Sequence, residues 1–218
     1  MHWNRAHGII LATCLLASCG QSGSPADASA PQTDSAETPA VSEAAWSLET
    51  EASRISFVSI KAGELIETHY FSGLSGQISP DGNAEITIPL DEVETKIDLR
   101  NERMRDMFFE TDRYPVATIR AEVDPDTYSD LAVGARRSAE IEGVLSLHGA
   151  DATVFANVFV TRVASNRVEI SSAEPVVLVL SDFNLDAGLE ALREIANLPS
   201  ITPASPVTFT FMFEAAPG

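Results

Sequence analysis

Residues 96–113, KIDLRNERMRDMFFETDR, hold five of the chain's 14 basic residues. Arg100, Arg103 and Arg105 stand there beside Met104, Met107, Phe108 and Phe109. An arginine fork meets carboxylate, phosphate or quinone oxygens, while methionine and phenylalanine cover hydrocarbon. The combination suits a ligand with an oxygen-bearing head and an apolar body. It also suits a plain amphipathic helix over residues 98–110. Ile97, Met104 and Phe108 would share one face of that helix, with Met107 beside them. Asp98, Glu102, Asp106 and Glu110 recur every four residues, with Arg103 and Arg105 between them, in reach of i,i+3 pairing. Two readings therefore stand. The segment is a cover helix with a salted outer face, or it turns one or more of Arg100, Arg103 and Arg105 toward the mouth of a cavity. Its acids equal its bases in number, which excludes a basic patch for nucleic acid.

Other chemistry is sparse. His69 and His148 have no metal-type neighbour in sequence and read as structural, so no metal site is assigned. No G-x-S-x-G elbow and no glycine-rich phosphate loop occurs. No pair of acids stands apart from the surface acids. No catalytic residue and no cofactor is assigned.

The elements that must position these residues are mostly strands. Residues 84–90 alternate cleanly after the turn signal Pro80-Asp81-Gly82-Asn83. Strand patterns also cover 53–60, 115–123, 139–147, 153–161 and 167–180. In the last strand Val207, Phe209, Phe211 and Phe213 fall on one face. A second helix is predicted over about 185–196, ending before Pro199. About eight strands with short turns predict an antiparallel sandwich or barrel. Large apolar residues on one strand face fit a barrel with a filled or ligand-holding interior.

The first residues read as a leader. Arg5 is followed by the apolar run Gly8–Ala17, too short to span a bilayer, and then by Leu16-Ala17-Ser18-Cys19. This pattern resembles the bacterial lipobox. The resemblance implies cleavage before Cys19, acyl chains such as palmitate on that cysteine, and a lipoprotein of the cell envelope. Gly20, where an inner-membrane retention signal would have Asp, leans toward the outer membrane, facing the periplasm. Cleavage would remove Cys14, so no intrachain disulfide is expected. Residues 20–45 are rich in Ala, Ser and Pro, lack Lys and Arg, and read as a disordered tether. As a random coil it would reach roughly 28 Å. The domains expected are thus 1–18 signal peptide, 19–45 lipidated N-terminus and linker, and 46–216 barrel. With 32 acidic residues and a net charge of −18, the chain repels nucleic acid and anionic membranes. Membrane attachment then depends on the acyl chains.

Four stretches carry a resemblance to the YceI family of periplasmic lipid-binding proteins. Trp46 is followed by Arg54-Ile55-Ser56-Phe57. Phe71-Ser72-Gly73-Leu74-Ser75-Gly76-Gln77-Ile78 comes next. Then come the run from Arg100 to Phe109 closed by Tyr114-Pro115, and Glu142 to Gly149. Asn101, Arg103 and Ser181-Asp182-Phe183-Asn184 depart from the family's pattern. The resemblance covers about residues 46–216. It implies a lipocalin-like antiparallel eight-stranded β-barrel, with an amphipathic helix between strands. It implies an elongated cavity for a long apolar lipid, a polyisoprenoid or isoprenoid quinone, and no catalysis. Phe57, Phe71, Met104, Phe108 and Phe183 are the lining expected on this basis, with Arg100, Arg103 and Arg105 as head-group candidates. The competing expectation is a non-catalytic interaction module built on a filled barrel.

Overall fold

The computed structural model describes residues 46–216. Twelve strand segments are present: β1 Trp46–Leu48, β2 Arg54–Lys61, β3 Leu65–Phe71, β4 Ser75–Ile78, β5 Asn83–Pro89 and β6 Val93–Glu94, then β7 Val116–Glu122, β8 Arg136–Leu147, β9 Ala150–Ala164, β10 Arg167–Ser172, β11 Val176–Val179 and β12 Ala204–Ala215. All the pairings are antiparallel. One ring runs β1–β4–β5–β7–β8–β9–β10–β12 and closes because Trp46 pairs with Ala215 and Leu48 with Phe213. The expected eight-stranded barrel is the fold.

The remaining segments show how eight staves become twelve segments. β1 and β2 form one stave, bent at the 3-10 turn Thr50–Ala52. β3 and β4 form another, and β5 and β6 a third, broken at Leu90–Glu92. β10 and β11 both pair with β12, on the same stave. These breaks widen one end of the barrel. There β6 stays with β3 while β7 stays with β5, and the two diverge. The chain that would have paired them instead forms a helical segment.

That segment is not one regular helix. Asp98–Arg103 (α1) is α-helical, and Met104–Phe109 is π-helical. The Glu110 N–H donates to the Arg105 carbonyl, an i→i+5 bond, and Glu110 ends the helix at φ 48°. The wider repeat sets residues i, i+4 and i+5 side by side. Met104, Phe108 and Phe109 are all buried as a result. A regular α-helix would have turned one of the two phenylalanines away. The expected salted outer face also fails to form as ion pairs. Arg100 leaves the helix for Glu67 on β3, and the Arg105 guanidinium donates to the Asp91 carbonyl at 3.3 Å. The far end of the segment is pinned to the β8–β9 turn, where His148 Nε2 lies 2.8 Å from Glu110 Oε2.

A second helix, α2 Asp186–Ile195, matches the expected 185–196 and crosses the π-helical turn at Gly188. A Cβ at that position would lie 2.7 Å from the Met107 carbonyl oxygen and 2.9 Å from the Phe108 Cα. Only glycine allows this approach, because the opposing atoms are backbone. The Gly188→Ala protein should lose about 1–3 kcal/mol of stability in urea unfolding, with spectra otherwise native. An unchanged midpoint would mean that the two helices do not press together here.

Candidate functional site

The open end of the barrel leads into a cavity of about 380 Å³. Its floor is apolar: Ile88, Ala117, Ile119, Leu145 and Leu147 come from β5, β7 and β8, and Val207 and Phe209 from β12. Leu189, Leu192 and Ile195 of α2 form another wall. A second apolar chamber of about 130 Å³ lies deeper, between β4, β5, β7, β8, β9, β10, β11 and β12. Ile119, Leu145, Leu178, Val207 and Phe209 line both and form a partition of side chains only.

Aromatic rings form a path along one wall. Phe57 lies 5.4 Å from Phe71, Phe71 lies 5.6 Å from Phe109, and Phe109 lies 4.7 Å from Phe108, between ring centroids. Of the residues expected to line the cavity, Phe57, Phe71, Met104 and Phe108 do so. Phe183 does not. It is 2 % exposed, locked in the core under the 3-10 turn Leu180–Phe183, where Asn184 reverses the chain at φ 57°. Among the arginines, Arg100 and Arg103 line the cavity and Arg105 does not. Its position two residues on turns it to the other side of the helix, where its guanidinium donates to the Asp91 carbonyl instead.

A polar cluster at the mouth went unread in the sequence. Arg100 Nη1 donates to both carboxylate oxygens of Glu67, at 3.0 and 2.9 Å, and its Nη2 donates to the Thr95 carbonyl at 2.5 Å. Lys61 closes on the same carboxylate. Thr95 is held in turn by Asn101, whose Oδ1 accepts from the Thr95 N–H at 2.8 Å and from its hydroxyl at 2.5 Å. The bond from Lys61, reinforced by that from Arg100, holds the Glu67 carboxyl down to about 2. His69, 3 % exposed, meets the Ser59 hydroxyl at 2.9 Å through Nε2. Burial, with Arg100 and Lys61 nearby, pushes its imidazole down to about 4. A signal for this cluster was present. β2 and β3 pair with Phe57 opposite His69 and Ser59 opposite Glu67, so alternate residues of both strands share one face.

The architecture is that of a lipocalin-like barrel, a closed antiparallel ring around an apolar cavity with one polar lip. The chain belongs to the YceI-like domain family, whose sequence profile matches residues 46–213. A solved polyisoprenoid-binding domain from Saccharophagus degradans is 39% identical and superposes with a TM-score of 0.77, over 78% of this chain and 98% of that one. Burkholderia cenocepacia BcnA shares the fold at 20% identity and a TM-score of 0.58, over 76% of this chain and 98% of its own. The Campylobacter jejuni YCEI protein shares it at 15% identity and a TM-score of 0.50, over 69% and 85%. Among curated protein sequences none matches.

The two shifted groups make stability pH-dependent. His69 binds a proton more readily unfolded, at an ordinary 6.5, than folded, at about 4. Stability therefore falls as pH drops through that window, by about 3 kcal/mol in all. Glu67 extends the fall from 4.5 toward about 2, because its carboxylate is favoured only in the fold. Urea unfolding of His69→Gln should show a flatter pH dependence between 6.5 and 4 than the parent. An identical slope in both proteins would remove His69 as the cause.

Proposed function

We propose that this protein holds one long apolar lipid, of the polyisoprenoid or isoprenoid-quinone type, and carries, stores or sequesters it without chemical change. The observation that carries this reading is the pair of apolar chambers aligned along the barrel, separated only by side chains. A tail that rotates Leu178 and Val207 aside gains the second chamber, and burying hydrocarbon there supplies the binding free energy. A cavity of this size falls in the range of ligand sites, and a scaffold barrel would be packed solid. Membership of the family, and likeness to a domain described as polyisoprenoid-binding, support the same ligand class.

The proposal extends to the cell. Cys19 would carry acyl chains that hold the protein to the periplasmic side of an envelope membrane, the outer one by the residue that follows the cysteine. The leader and tether, residues 1–45, lie outside the described residues. No helix among the described residues is long and apolar enough to cross a membrane.

The mature chain, carrying Cys19→Ser for solubility, should release an isoprenoid or acyl lipid on organic extraction and mass spectrometry. A folded protein that yields no lipid and takes up neither added polyprenol nor quinone would overturn the reading. Val207→Trp, at the partition, should keep short isoprenoids and weaken long ones by about tenfold or more. Equal loss for all lengths would mean that tails do not pass the partition. In cells, a clickable palmitate analogue should label the parent and not Cys19→Ser, and the variant should leave the membrane fraction. Labelling of both proteins would exclude Cys19 as the anchor.

A further inference from the structure

Three turns form the rim of the barrel's open end. The β2–β3 turn passes through Ala62 at φ 54° and Gly63 at φ 75°. The entry to α1 passes through Lys96 at φ 66°, and the exit from α2 through Asn197 at φ 52°. Left-handed residues of this kind mark tight turns. The turns are also tied together. The Ala62 N–H donates to the Ser200 carbonyl and the Thr202 N–H to the Ile60 carbonyl, both at 2.9 Å. Arg100 joins α1 to β3 through Glu67. The rim is a fixed border.

Its side chains break the usual rule of burial. Leu65 and Ile66 follow the first turn, Ile97 and Leu99 the second, and Ile195 precedes the third. They are between 47% and 65% exposed. Among the described residues no other leucine or isoleucine is exposed. A lone exposed aliphatic residue is ordinary, but a cluster around one opening marks an interaction surface. Ile97, Leu99 and Ile195 also line the cavity. Apolar surface therefore runs unbroken from the rim into the chamber.

Charge at the rim has both signs. The chain's only two lysines, Lys61 and Lys96, stand here. Lys61 is taken up by Glu67, whereas Lys96 is exposed. Glu64, Asp98, Glu102 and Glu194 are exposed beside them. A lysine in such a place lays its stem along apolar surface and lifts its ammonium to the polar level.

We propose that this rim docks on the surface of a zwitterionic phospholipid bilayer. Leu65, Ile66, Ile97, Leu99 and Ile195 sink into the boundary between head groups and acyl chains, and the cavity opens directly onto lipid. Binding of this kind scales with the apolar area that is buried. Zwitterionic head groups answer both signs of charge, because their phosphate meets Lys96 and their ammonium meets the acids. A second copy of the chain fits less well. A two-fold contact would set Glu64, Asp98, Glu102 and Glu194 against the same four residues of the mate. A folded protein partner also fits less well, since the centre of this patch is an opening and a protein interface packs its centre. The proposal rests on the lipid-binding reading and adds to it the surface through which the ligand is taken up.

Cosedimentation of the mature Cys19→Ser chain with phosphatidylcholine vesicles tests the docking without the acyl anchor. The parent should sediment with the vesicles, and about 1 M salt should not release it. Leu65 and Ile66 border the mouth without lining the cavity. The Leu65→Glu, Ile66→Glu double variant should therefore partition about tenfold less or weaker still, while polyprenol uptake from detergent micelles is unchanged. Phe155→Glu, at an equally exposed apolar residue of β9, should sediment like the parent. A parent that stays in the supernatant, or that binds only anionic vesicles at low salt, would overturn the proposal. Equal loss in Phe155→Glu and in the double variant would do the same. A parent dimer in sedimentation velocity that the double variant abolishes would assign the rim to a second copy instead. Failure of the lipid-binding reading shows separately, as a parent that takes up no polyprenol from micelles.

Discussion

The double use of β12 is the constraint on which the structure depends. One of its edges pairs first with β2 and then with β1, and the other pairs first with β11 and then with β10. Each half of β12 thus belongs to a different end of the barrel. The half that meets β1 and β10 closes a complete ring, and backbone groups there find their partners within the sheet. The half that meets β2 and β11 belongs to an end where the ring is incomplete. A closed sheet has no edge to protect, whereas a broken one must be covered by something else. The helical segment 98–109 and α2 are that cover, and the cavity is the space between cover and ring.

The cover does more than fill a gap. Its π-helical half buries Met104, Phe108 and Phe109 together, and its α-helical half projects Arg100 and Arg103 onto the cavity lining. A single regular helix would set Arg100, Arg103, Met104 and Phe108 on one face by their i, i+3, i+4 and i+8 spacing, but it would turn Phe109 away. The irregularity therefore adds Phe109 to a wall that already carries the charged lip. Gly188 permits α2 to lie directly on the backbone of this turn, which closes the hydrophobic side against water.

Much of this was readable from the residues. Alternation along β5, β8 and β12 predicted strands, and their spacing predicted an antiparallel all-β domain. Phe57, Phe71, Met104 and Phe108 were legible as lining because each sits on an apolar face. The failures share a cause. Phe183 looked like lining because it is aromatic and interior, but composition does not tell a side chain sealed in the core from one that borders a void. Arg105 was grouped with Arg103, but residues two apart lie about 200° apart around a helix, so the face that turns Arg103 to the cavity turns Arg105 away. The cluster around His69 was not legible because Ser59 and Glu67 with its two cations are assembled across a hairpin and a helix.

The sequence alone determined the class of fold and the ingredients of the cavity, since period-two alternation and the apolar content of strand faces are local properties of the chain. The basic and aromatic cluster at 96–113 was visible as an anomaly in the same way. Tertiary structure decided which of its side chains reach the interior, where the barrel opens, and which polar groups meet at the mouth. Those outcomes depend on strand register, on the break in β5 and β6 and on one π-helical turn. They arise from pairing between segments far apart in the chain, and no local pattern encodes them.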